Sequence, residues 1–209
     1  MGEGIKNPFP SSLRDVLGPH MRAAIPGQYG RMDGPRHPVD LYETEPKAVD
    51  MLLDHIRVQG PVLEPSAGRG AIVRALRAHG FKVCGSDLYN HDADAALGIG
   101  TGVDFLSMKT IADCRSIMMN PPFKESDLHV RHALGLLPRD GVLAVLLRMN
   151  WIAAKRCADL LAHLDTMLIC GRLRMPPAGG IDKGFGGTVD FAWMVFRRTP
   201  AMATRIIRA

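Results

Sequence analysis

Residues 62–70 read Val-Leu-Glu-Pro-Ser-Ala-Gly-Arg-Gly, and Ala-Ile-Val-Arg-Ala-Leu-Arg-Ala follows directly as 71–78. Two apolar residues running into a carboxylate predict a short buried strand. Gly68 and Gly70 let the backbone turn tightly and approach a ligand with no Cβ in the way. Ile72, Ala75 and Leu76 then recur at helical spacing until Gly80 closes the segment. A strand, a glycine turn and a helix in that order form the opening unit of a parallel α/β sheet.

The alternation continues downstream. Residues 81–86 predict a second strand ending at Asp87, residues 103–106 a third, and residues 117–119 a fourth ending at Asn120. Residues 130–137 predict a helix, 141–147 a fifth strand, 153–164 a helix, 167–170 a sixth strand and 189–196 a last one. Upstream, Thr44 reads as a helix N-cap, with Glu45 and Pro46 in the first turn and Val49, Leu52, Leu53 and Ile56 on one face. Gly60 and Pro61 end that helix. Pro8, Pro10, Pro26, Pro35 and Pro38, with Gly27, Gly30 and Gly34 between them, predict an irregular arm over 1–41, with helix confined to 12–24. One α/β domain then spans 42–209, carrying a glycine- and proline-rich loop around 171–187.

The 209 residues are 46% apolar and 22% charged, with 22 glycines, which excludes wholesale disorder and collagen-like repeats. The longest uncharged apolar run, 142–147, is strand-sized, so neither a membrane span nor a signal peptide is expected and the protein reads as cytoplasmic. Cys84, Cys114, Cys157 and Cys170 stand far apart with no metal-ligand spacing, and they read as small hydrophobes. His129 and His132 share a helical face without further ligand types, so no metal is expected. The net charge of +5 is uneven: residues 148–209 hold ten basic and four acidic side chains. That excess suits either a polyanionic partner or a solvated basic surface.

In doubly wound sheets ligands bind beyond the carboxyl ends of the strands. The residues to consider are therefore Glu64, Asp87, Asp104 and Asn120. Glu64 is unfavourable beside a pyrophosphate, and Val73 stands where a dinucleotide fingerprint needs its third glycine. Nicotinamide chemistry is disfavoured on both counts. A cationic ligand suits Glu64 better, and S-adenosylmethionine, with a sulfonium, an ammonium and no phosphate, is one; a plain structural turn is the other reading. Asp87, 17 residues beyond Gly70, stands where a carboxylate accepts ribose hydroxyls; its other reading is an exposed residue or helix cap.

Asn120-Pro121-Pro122-Phe123 is the sharpest signal. The prolines hold φ near −65° and remove two backbone donors, so the carbonyls of Asn120 and Pro121 are presented to a planar amino group. Phe123 adds a flat face on which a base can stack, at about 1–3 kcal/mol.

The glycine turn followed by Asn-Pro-Pro-Phe resembles the S-adenosylmethionine-dependent amino-group methyltransferases, above all the adenine-N6 DNA methyltransferases in which the cofactor motif precedes the catalytic one. The resemblance covers about 42–196. It implies a Rossmann-like fold with a seven-stranded, mostly parallel sheet whose last strand, 189–196, runs antiparallel. It implies that Glu64, Ser66, Ala67 and Gly68 line the methionine part of the cofactor, that Asp87 holds its ribose, and that Leu88 lies against its adenine. Asp104 would accept from that adenine's amino group, Phe105 would pack nearby, and Tyr42, Thr44 and Pro46 would close over the methionine end. Asn120, Pro121, Pro122 and Phe123 would be the catalytic residues.

The expected reaction is methyl transfer to an exocyclic amino nitrogen, N6 of adenine in DNA first, with an RNA base or a protein glutamine as alternative acceptors. A cofactor-binding module without turnover is the reading from another class. Family members that modify DNA carry a sizeable target-recognition region, and here only the arm 1–41 and the segment 148–187, which includes the expected substrate loop, offer room for one. Nucleic acid is the expected partner, with no membrane; the oligomeric state is open.

Overall fold

The structure, a computed structural model, describes residues 41–173 and 189–209. The expected arm, apart from Leu41, and most of the expected 171–187 loop lie outside the described residues.

Among the described residues eight strands form one sheet: β1 (Val62–Glu64), β2 (Val83–Asp87), β3 (Gly100–Thr101), β4 (Ser116–Met119), β5 (Val142–Arg148), β6 (Leu164–Arg172), β7 (Asp190–Phe196) and β8 (Arg205–Arg208). Their spatial order is β3-β2-β1-β4-β5-β7-β6-β8. Strands β1 to β5 run parallel, β7 is antiparallel to both β5 and β6, and β8 is parallel to β6. The chain order reverses between β1 and β4, so the crevice of a doubly wound sheet opens beyond Glu64 and Asn120.

Among the described residues, three α-helices, α1 (Pro46–His55), α2 (Ala71–Ala78) and α3 (Ser126–Leu136), cover the faces. Successive β5 side chains point to opposite faces, and both sets are buried. Leu143, Val145 and Leu147 pack with Val130, Ala133 and Leu134 of α3. Val142, Ala144 and Leu146 pack with Val49 and Leu52 of α1 and with Ile72 and Leu76 of α2. Burial on two faces is why β5 reads as an unbroken apolar run. Trp193 of β7, fully buried, donates its indole N–H to the Ala48 carbonyl at 2.6 Å and so ties the antiparallel strand to α1.

Four expectations are corrected. The sheet has eight strands, not seven: 189–196 is antiparallel as expected but is followed by Arg205–Arg208, whose two isoleucines between arginines form a strand by pairing with β6. The third strand lies at Gly100–Thr101 and not at 103–106. There the Asp104 carboxylate accepts from the Leu106 N–H at 3.0 Å and winds Phe105–Ser107 into a 3-10 turn. Residues 153–164 form no helix. The stretch is divided among three 3-10 turns, Met149–Ala153, Lys155–Cys157 and Leu160–His163, with Trp151, Cys157 and Leu160 buried in one core cluster and Arg131 binding the Asp159 carboxylate at the surface. Finally, the N-cap of α1 is Glu45, without a side-chain cap bond; Thr44 is used elsewhere.

All four cysteines are free. No helix among the described residues is long and apolar enough to cross a membrane.

Candidate active site

The glycine turn sets one wall of a cavity at the carboxyl ends of β1, β2 and β4. Gly68 has φ 53° and Gly70 φ 84°, the left-handed region that glycine enters without penalty. Gly70 precedes α2, and a Cβ there would lie 2.5 Å from Leu97 Cδ1. Glu64, at the end of β1, is fully buried. Its Oε1 accepts from the Ser66 N–H at 3.0 Å, while Oε2 is buried with no hydrogen-bond partner in the protein. Burial pushes its carboxyl well above the usual carboxylate range; the Ser66 N–H opposes that shift and the charge of nearby Asp87 adds to it. A buried acceptor without a donor is rare in folded proteins and points to a missing partner.

Asp87 closes the second wall. Its Oδ2 accepts from the Gly68 N–H at 2.8 Å and its Oδ1 from the Tyr89 N–H at 2.9 Å, with His91 Nε2 at 3.3 Å from Oδ1. The carboxylate therefore braces the glycine turn as well as facing the cavity. Arg69 donates to the His91 carbonyl at 3.2 Å, holding that histidine's segment across the turn. Phe105 is buried beside Asp104, its ring 5.7 Å from the ring of His129 and 5.0 Å from that of His132. His129 donates Nδ1–H to the Glu125 carbonyl at 2.9 Å, and burial pushes its imidazole below the usual value, as it does for His132.

The third wall is the turn after β4. Asn120 donates its amide N–H to Thr44 Oγ1 at 3.1 Å and to the Tyr42 carbonyl at 3.5 Å, which ties the segment before α1 to the end of β4. This bond orients the amide and explains why Thr44, 5% exposed, is no helix cap. Below the turn, the Ser126 hydroxyl donates to the Phe123 carbonyl at 3.0 Å and accepts from the Trp151 indole N–H at 3.1 Å. The Phe123 ring lies between neighbours: Tyr42 at 5.7 Å, Phe191 at 6.1 Å, and the Arg148 guanidinium carbon 4.4 Å from its centroid.

Tyr42, Thr44, Glu64, Ser66, Ala67, Gly68, Asp87, Leu88, Asp104 and Phe105 all wall this one cavity, together with Asn120 and Pro122. Pro121 is buried and is not among the residues lining this cavity, and Phe123 lines a second cavity. Sequence reasoning missed His91, Glu125 and His129, which also line the first cavity, and the Trp151–Ser126 brace. His129 carried a signal in its i+4 spacing from Glu125. The brace carried none, since 25 residues separate its members.

No protein-family model matches the sequence, and no curated protein does either. Solved structures share its architecture. A Lactococcus lactis protein provisionally described as a hemolysin is 14% identical with a TM-score of 0.54, over 76% of this chain and 90% of that one. A Listeria monocytogenes protein provisionally described as a class I S-adenosylmethionine-dependent methyltransferase is 10% identical with a TM-score of 0.51, over 78% of this chain and 62% of that one. TrmN from Thermus thermophilus is 21% identical with a TM-score of 0.50, over 72% of this chain and 48% of that one. The chain thus spans less than two thirds of the last two. At such identities the likeness is one of fold: a Rossmann-like, mostly parallel sheet, shared with the Listeria protein and carrying β8 at its β6 edge.

Proposed function

We propose that this chain is an S-adenosylmethionine-dependent methyltransferase whose acceptor is an exocyclic amino nitrogen, N6 of adenine in DNA. The observation that carries the reading is that the Asn120 turn and the partnerless Glu64 oxygen lie on the walls of one cavity at the switch point of the sheet. The cavity fits the cofactor's chemistry. Glu64 Oε2 lacks a donor that an ammonium would supply, and no phosphate has to approach it. Ser66, Ala67 and Gly68 would hold the methionine part, Asp87 the ribose, and Leu88, Asp104 and Phe105 the adenine end. Asp87 has capacity for this, since a carboxylate has about four acceptor positions.

When bound, the cofactor supplies a methyl group activated by its sulfonium. The chain's own residues handle the acceptor. An exocyclic amino nitrogen is a weak nucleophile because its lone pair is delocalised into the ring. Accepting hydrogen bonds from its two N–H groups at Asn120 Oδ1 and at the Pro121 carbonyl draws the nitrogen toward a pyramidal geometry and localises that pair, and the one proton lost after methylation leaves to solvent. Thr44 and the Tyr42 carbonyl take the Asn120 amide protons, which turns Oδ1 into the amide's working atom. Orientation and fixed dipoles then carry most of the catalysis, without a strong base.

Incubating DNA, RNA and protein pools with the chain and isotope-labelled S-adenosylmethionine tests the proposal. Mass spectrometry of digested nucleosides is expected to find label on N6-methyladenine from DNA. Label confined to glutamine would replace the acceptor, and no label in any pool would remove the methyltransferase reading.

A further inference from the structure

A second cavity is lined from Phe123 onward, next in sequence to Pro122 of the first cavity's wall, and the reaction proposed above gives it no role. It is lined by Phe123, Lys124, Asp127, Arg148, Trp151 and Arg156 among others. Arg148 is the last residue of β5, so this cavity opens at the same carboxyl end of the sheet as Asn120 and Glu64.

Arg148 is in an unusual position. Its guanidinium lies against the Phe123 ring, 4.4 Å from centroid to Cζ, and its Nε is buried with no hydrogen-bond partner in the protein. It takes part in none of the ion pairs among the described residues. Asp127, the one acid among the described residues of the cavity wall, is engaged by Arg156 Nε at 3.1 Å. An arginine packed against an aromatic ring loses water on that side while its terminal N–H donors remain to pair with oxygens. Such a fork matches the two unesterified oxygens of a phosphodiester. With Asp127 taken up by Arg156, Arg148 is left as a lining cation outside every ion pair among the described residues, so the ligand expected is an anion.

We infer that this cavity is a phosphate site for the polynucleotide that presents the acceptor base, with Arg148 as its anchor. A phosphate bound here fixes the strand beside the Asn120 turn, which leaves an unstacked base to enter the first cavity. Arg148 is thus a specificity residue for the acceptor: it selects a base attached to a phosphate backbone over a protein side chain. The inference rests on the proposed function for the identity of the acceptor, but not for its test.

The test is binding without turnover. Fluorescein-labelled single strands of about twelve nucleotides, one DNA and one RNA, are titrated with the full chain and followed by anisotropy at several salt concentrations. Arg148→Ala is expected to weaken binding by about tenfold and to reduce the slope of log affinity on log salt by about 0.7. Arg148→Met, which keeps an unbranched stem on Phe123, is expected to match it and guards against misfolding of the alanine variant. Arg139→Ala removes the same charge from an exposed position just before β5, at the other end of the sheet, and is the control. Binding to DNA and RNA alike supports a shared phosphodiester site, and a preference for one identifies its source. Equal losses in the Arg139 and Arg148 variants, no loss in the Arg148 variants, or binding only of a glutamine-containing peptide would each overturn the inference. A chain that binds oligonucleotides through Arg148 but transfers no methyl group would leave this inference standing and remove the proposed function.

Discussion

Asn120 and Asp87 sit in one cavity but are built into it differently, and substitution separates them. Asn120 reaches the cavity from a turn whose backbone is stiffened by Pro121 and Pro122, so Asn120→Ala removes an acceptor while leaving the glycine turn untouched. Turnover is expected to fall about a hundredfold or more, with affinity for S-adenosylmethionine kept within a few-fold in calorimetry. Asp87→Ala also strips acceptors from the Gly68 and Tyr89 N–H groups, and its expected signature is loss of cofactor affinity together with a lower melting temperature. Equal loss of cofactor binding in both variants would contradict this division. Glu64 adds a pH dependence. Its pKa in the folded chain lies above the ordinary 4.5, so the folded state holds the proton more tightly than the unfolded one. The corresponding stability is fully present below about pH 4.5 and is lost as pH rises through the folded value. Glu64→Gln is therefore expected to raise the cofactor-free melting temperature at pH 8, with the gain shrinking toward pH 4.5. It is also expected to weaken cofactor affinity by about tenfold or more, since a charge-assisted bond is lost. Thermal scans and calorimetry across pH check both signs.

At the scale of elements, the catalytic turn is held by parts remote in sequence. Trp151, in the 3-10 turn after β5, holds Ser126 at the start of α3, and Ser126 holds the Phe123 carbonyl. Trp151→Phe keeps the packing but cuts the first link. It is expected to lower kcat several-fold with little change in cofactor affinity, whereas a brace that only stabilises the fold would move the melting temperature and leave kcat alone. The glycine turn is constrained by neighbours as much as by its own φ. Gly70→Ala places a Cβ at φ 84° and against Leu97 and Ile99, and is expected to destabilise the chain by at least about 1–2 kcal/mol in urea unfolding. Much of this was legible: residues 62–78 announce strand, turn and helix by apolar spacing alone. At 103–106 a side-chain contact, Asp104 to the Leu106 N–H, overrides what apolar periodicity suggests, and at 153–164 the apolar residues Cys157 and Leu160 reach the core from 3-10 turns instead of from one helix.

Across the whole molecule, the antiparallel β7 between β5 and β6 is what distinguishes this sheet from other doubly wound sheets, and Trp193 locks it to α1 through the Ala48 carbonyl. Trp193→Phe leaves that buried carbonyl without its donor and is expected to lower stability by about 1–3 kcal/mol. The amino-acid order alone determined the local units and the strand-end polar residues Glu64, Asp87 and Asn120, because periodicity, glycine freedom and proline rigidity act between near neighbours. The tertiary structure alone decided that Thr44 serves Asn120 instead of capping α1, that Arg148 lies on Phe123, and that Glu64 keeps an oxygen without a donor. Those are contacts or vacancies created when segments tens of residues apart are packed together, and no spacing along the chain encodes them.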